Sequence, residues 1–171
     1  MRLFPIAAAL TLAACAGVQS TQYFVLPDSR YVRPARQGAE TAVRVNLAAA
    51  LRQNGLLYQT GPYRVHFAQN HVWASPLDGM IAAHLSNLFN RRHPEGIYAP
   101  AAHGGGRTLT VNIESFQGSH TGKAAVGGYA VLPDGGTRPF YAETPQQGDG
   151  YDAMVRALTQ SLDKAAGQIS D

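Results

Sequence analysis

Six histidines, a histidine–glycine loop, two serines near a strand end and one cysteine are the residues of this chain whose types could do chemistry. The histidines are His66, His71, His84, His93, His103 and His120. No two stand at the i, i+4 spacing that puts a pair of zinc ligands on one helix face, and a lone cysteine cannot complete a Cys/His set. No metal site is therefore expected. Acyl transfer asks for a nucleophile elbow, G-x-S-x-G, and the chain has none. Ser115, Ser119 and His120 are close in sequence, but on a strand end that is ordinary composition. His103-Gly104-Gly105-Gly106 has the make-up of an oxyanion loop; without an elbow serine it reads as a flexible connector. The glycine-rich stretches match neither a G-x-x-x-x-G-K-[ST] phosphate cradle nor a G-x-G-x-x-G turn after a strand. Nothing here adds up to a catalytic site, and no cofactor is implied.

Cys15 remains, the only cysteine in 171 residues. It follows "MRLFPIAAALTLAA", a charged start at Arg2 and then an apolar run too short for the roughly 20 residues that cross a bilayer. The pattern fits a secretory signal peptide over residues 1–14. A first core helix is the alternative, against which stand Pro5 and the polar "VQSTQ" that follows. Leu12, Ala13, Ala14 and Cys15 resemble the bacterial lipobox, [LVI]-[AST]-[GA]-C. That resemblance implies a diacylglycerol thioether on Cys15, cleavage before it and acylation of the new amine; the alternative is an incidental cysteine. Each buried methylene contributes about 0.8 kcal/mol, so several chains anchor a protein durably. The residue after the cysteine, Ala16, is not the aspartate that favours inner-membrane retention in enterobacteria. It points to the outer membrane, with the protein facing the periplasm.

Removing residues 1–14 takes away one charge, Arg2, and lowers the net charge from +3 to +2. The bases are scattered, so nucleic acid is not an expected partner and electrostatic membrane binding is not supported. With 18 glycines, 10 prolines and 15% charged residues, the composition favours sheets and turns over a helical bundle.

The elements that would position these residues follow from periodicity. Residues 15–22 read as the lipidated cysteine and its tether, and residues 23–171 as one periplasmic domain. "YFVLPDS" is a strand stopped by Pro27, and residues 29–40 are loop. "AVRVNL" alternates as a half-buried strand. "LLYQTGPYRVHF" is a hairpin from Leu56 to Phe67 turning at Thr60-Gly61-Pro62. Leu77, Met80, Ile81, His84, Leu85, Leu88 and Phe89 form one helical stripe, with Ser75 as N-cap, Pro76 as first residue, Asp78 as capping-box acid and Pro94 as stop. His84 on that stripe reads as a satisfied core or interface histidine. "PEGIYAPAAHGGG" reads as loop. "RTLTVNIESF", "AAVGGYAVL" and "TRPFYAE" are strands, the last an edge because of Pro139. A final helix carries Tyr151, Met154, Val155, Leu158, Leu162, Ala165, Ala166 and Ile169 on one face, with Asp149 as N-cap. The expected fold is α+β, an antiparallel sheet packed by two amphipathic helices.

"YFVLP" soon after Cys15, "LLYQTGPYRVHFAQNHVWASPLDGMIAAHL" and "AMVRALTQSLDKAA" together resemble the PqiC family, auxiliary lipoproteins of ABC-type, MCE-linked transport systems. The matching positions are Tyr23, Leu26 and Pro27, with Phe24-Val25 in place of one residue, then Tyr58, Trp73, Ala74, Pro76 and Leu77. The resemblance implies a non-enzymatic accessory that helps move lipids between membranes. It also implies docking on a periplasm-spanning MCE-domain protein and possible homo-oligomerisation. Trp73 and Tyr58 are the side chains named for a partner interface, Trp73 with a core-anchor reading beside it. Two other classes stay in view: an outer-membrane lipoprotein regulating a cell-wall synthase, and a periplasmic hydrolase, which lacks its nucleophile–base pair.

Overall fold

The computed structural model describes residues 20–104 and 106–170. Alternating apolar residues build eight strands: β1 Gln22–Phe24, β2 Ala39–Leu47, β3 Gly55–Gly61, β4 Arg64–Trp73, β5 Gly96–Pro100, β6 Arg107–Ser119, β7 Lys123–Val131 and β8 Thr137–Pro145. Two helices complete the domain, α1 Leu77–Arg92 and α2 Gly150–Ser170. The strands form one sheet organised on β6. One edge of β6 takes β2 in its first half and the end of β3 at Gly118 and Ser119, both parallel. Its other edge takes β7, antiparallel, and β8 follows β7. Beyond β2 lies β5, and beyond β3 lie β4 and then β1, giving the order β1-β4-β3-β6-β2-β5.

The α+β class with two helices stands, but the sheet is mixed rather than antiparallel. β1–β4, β2–β5, β2–β6 and β3–β6 are parallel ladders. Alternation reports which face a residue takes; it carries no information on strand direction.

α1 packs on β2 and β5, and α2 on β7 and β8, over a single core that includes Val43, Leu85, Phe89, Val111, Phe116, Leu158 and Leu162. Among the described residues nothing covers the opposite face of the sheet, and its Arg44, Asn46, Tyr129 and Tyr141 meet solvent. α2 is amphipathic as its stripe predicts. α1 is not: every residue from Met80 to Asn90 is buried, polar ones included. Its polar side is covered by the irregular segment 27–36.

Several local expectations change. Ser75 does not cap α1; Pro76 holds the N-cap position with no side-chain cap. The hairpin turns one residue later, at Pro62-Tyr63 between paired Gly61 and Arg64, and β4 continues to Trp73. Part of the stretch read as loop is β5, followed by a short 3-10 helix at Ala101–His103. Glycine decides one detail of the β6–β7 ladder, where the register shifts around Glu114. Gly128 has φ 156°, and a Cβ there would overlap the Asn112 carbonyl oxygen, so no other residue fits this bulge.

Candidate functional site

Cys15 lies outside the described residues. The two side chains named for a partner are not brought together. Trp73 ends β4 opposite Phe24 of β1, is 7% exposed and packs its indole 6.0 Å from Phe116. Its placement is that of a core anchor. Tyr58 is half-buried on β3, opposite Gly118 of β6. At Gly118 a Cβ would meet the Met154 sulfur of α2, which packs closely against this backbone.

Tyr58, Met154 and Tyr151 line a cavity of about 440 Å³ closed by the turn at Ser119–Gly122 and the loop at Gln146–Gly150. Beside it, Tyr151 stacks on His71 with centroids 4.1 Å apart, and Phe24 leans on both rings. Its wall mixes the aromatic rings and the Met154 thioether with the polar side chains of Ser119, His120, Gln146 and Asp149. Ser119 Oγ meets Thr121 Oγ1 at 2.7 Å.

A second cleft, about 390 Å³, lies at the opposite end, where both helices finish. Its Arg138 serves a helix end. Arg138 donates to the Ile169 carbonyl at 2.9 Å. Nearby, Arg36 donates to the carbonyls of Gly96 at 2.8 Å and Asn90 at 3.0 Å. Cations placed on unpaired helix-end carbonyls are capping groups. Tyr98 in this cleft is pushed above the usual phenol range by burial, then by Glu95, against the pull of Arg107.

The most connected polar cluster is on α1. His84 Nδ1 donates to the Pro27 carbonyl at 2.8 Å, and Nε2 meets Asp163 Oδ1 of α2 at 2.7 Å. Both nitrogens face acceptors, which only the imidazolium satisfies. Burial alone would lower its pKa; the Asp163 carboxylate and the Pro27 carbonyl outweigh burial and hold it above the ordinary histidine value. One turn on, Asn87 donates to the Asp28 and Arg30 carbonyls at 3.0 and 2.8 Å and accepts from the Val32 N–H at 3.0 Å. Arg91 pairs with Asp28 at 2.6 Å. These residues tie segment 27–36 to both helices and supply partners to a backbone that has no ladder of its own.

The remaining histidines are scattered. His103 packs by Tyr31, His93 lies between Phe89 and Tyr98, and His66 and His120 are exposed. Among the described residues no group of three or more His, Cys, Asp or Glu could hold a metal ion, and no helix is long and apolar enough to cross a membrane.

A two-layer α+β scaffold with one bare sheet face, an aromatic-lined cavity and buried polar struts is the class of protein defined by this fold. The chain belongs to the family of ABC-type transport auxiliary lipoprotein components, whose model matches residues 25–170. It is 34% identical over 172 residues to the intermembrane transport lipoprotein PqiC of Escherichia coli, covering 95% of this chain and 92% of that one; the Shigella flexneri PqiC matches equally. A crystal structure of an uncharacterized protein superposes with TM-score 0.73 at 29% identity, covering 87% of this chain and 95% of the other. One from Xanthomonas campestris gives TM-score 0.63 at 12% identity over 85% and 90% of the two chains, a likeness of fold.

Proposed function

We propose that this chain is a lipid-anchored, non-enzymatic accessory subunit of an MCE-type intermembrane lipid transport system. The observation that carries the reading is the juxtaposition of two signals. "LAAC" ends an apolar leader at Cys15, and ten residues later begins a match to the transport auxiliary lipoprotein family that runs to residue 170. Residues 1–14 are the signal peptide, Cys15 carries the lipid, 15–22 form the tether and 23–171 the periplasmic domain. Ala16 sends it to the outer membrane, facing inward. The domain then acts as a docking body. Its bare sheet face and the Tyr58 cavity are available for a periplasm-spanning MCE-domain protein or for a second copy in a closed ring. Trp73 contributes by holding β1 and β4 in place.

Co-purification tests this. The full-length lipoprotein, solubilised in mild detergent, should bring down an MCE-domain protein, and a bulky charge at Tyr58 (Tyr58→Glu) should weaken the pair. Recovery of a peptidoglycan synthase in its place would move the protein to the cell-wall class.

A further inference from the structure

The described chain opens at Ser20, and β1 follows at Gln22. β1 runs parallel to β4, with Tyr23 opposite Val72, so Ser20 leads into β1 from the end at which the β3–β4 hairpin turns. From Gly55, also opposite Val72, to Gly61 at the turn, β3 advances six residues, about 20 Å at ~3.3 Å each. The hairpin thus projects about 20 Å past Tyr23 in the direction from which β1 is entered. Cys15 and Tyr23 are eight residues apart, a span of at most about 27 Å when fully extended. The tether is therefore long enough for Cys15 to reach the level of the hairpin tip.

The tip is built for an interface rather than for water. Tyr63 is 100% exposed, Val65 is 54% exposed, and Arg64 between them is exposed as well. Nothing in the domain packs on that tyrosine. Tyrosine partitions to the boundary between headgroups and acyl chains, and arginine adds attraction to anionic headgroups. Of the other exposed tyrosines, Tyr23 lies on β1 itself, and Tyr129 and Tyr141 sit on the bare sheet face.

We infer that Tyr63, Arg64 and Val65 form a second membrane contact, dipping into the surface of the bilayer that holds Cys15. This contact rests on the lipid attachment proposed above. With the lipid and the hairpin tip as two points of contact, the domain is fixed in orientation and cannot swivel freely on its tether.

The test uses full-length lipidated protein in vesicles of phosphatidylethanolamine and phosphatidylglycerol. Tyr63→Cys is labelled with an environment-sensitive fluorophore; the acylated Cys15 has no thiol to react. Asp134→Cys, in the turn between β7 and β8 at the opposite end, is the control. The expected result is blue-shifted emission at position 63, quenched by doxyl-labelled lipid, with position 134 unchanged. A solvent-like signal at 63 while the protein floats with the vesicles overturns the contact and leaves the anchor intact. Protection at 63 that requires added MCE-domain protein overturns it too, in favour of a protein docking tip. Protein that fails to float overturns the lipid attachment, and the hairpin contact falls with it.

Discussion

Two edges of the sheet are closed by the same device in different surroundings. On β5, the Asn90 amide of α1 donates to the Tyr98 carbonyl at 2.7 Å and accepts the Tyr98 N–H at 2.8 Å. On β8, the Gln168 amide of α2 donates to the Tyr141 carbonyl at 3.0 Å and accepts the Tyr141 N–H at 2.9 Å. Each amide supplies the pair of hydrogen bonds that a further strand would offer. Proline finishes the work on both sides, Pro100 on β5 and Pro139 and Pro145 on β8, because proline has no N–H to offer a newcomer. The difference is burial. Asn90 sits in the core layer under segment 27–36, while Gln168 is exposed. Identical geometry should therefore have unequal energetic weight, since only a buried orphan lacks water as a substitute.

The largest effect expected from breaking this comparison is at Asn90. Asn90→Ala strands the Tyr98 N–H and carbonyl and frees Arg36 from one partner. It should cost about 2–4 kcal/mol, read as a lower urea midpoint at unchanged slope. An equal loss for Asn90→Ala and Gln168→Ala would show that burial does not set the weight.

Next comes the pH dependence of the α1 side. His84 has its folded pKa raised above the unfolded value, so its contribution is fully present below about pH 6.5 and is lost as pH rises through the folded pKa. Urea midpoints taken from pH 6 to pH 9 should fall for the wild type and flatten for His84→Gln. A profile as steep in the variant as in the wild type would remove His84 from the account.

Gln168→Ala, by contrast, should lower stability by only about 0.5–1 kcal/mol, because water reaches Tyr141. The smallest effect concerns association. Combining Gln168→Ala with Pro139→Val removes two guards of β8, and sedimentation should show a modest concentration-dependent rise in mass that neither single change produces. Unchanged mass in the double variant would mean that Pro145 suffices.

The elements with strong periodicity were legible. The stripes of α1 and α2 and the alternation of β2, β6 and β7 appear where the residues put them. What escaped depends on partners distant in sequence. β5 is five residues between Pro94 and a glycine run, and it becomes a strand only because β2 lies alongside. The mixed sheet escaped for the same reason. Asn87 and Asn90 escaped because buried asparagines on a helix look like an ordinary polar face until segment 27–36 covers them. The cavity at Tyr58 was half-legible, since Tyr58 was singled out, but Gly118 and Met154 meet it from other elements.

The central claim is that Cys15 attaches this domain to a membrane, and Cys15→Ser tests it most directly. Wild-type protein, expressed in a Gram-negative host with labelled fatty acid, should carry the label, begin at Cys15 and fractionate with the outer membrane. The variant should lose the label and leave the membrane fraction. A variant that stays in that fraction with its leader cut normally would contradict the account.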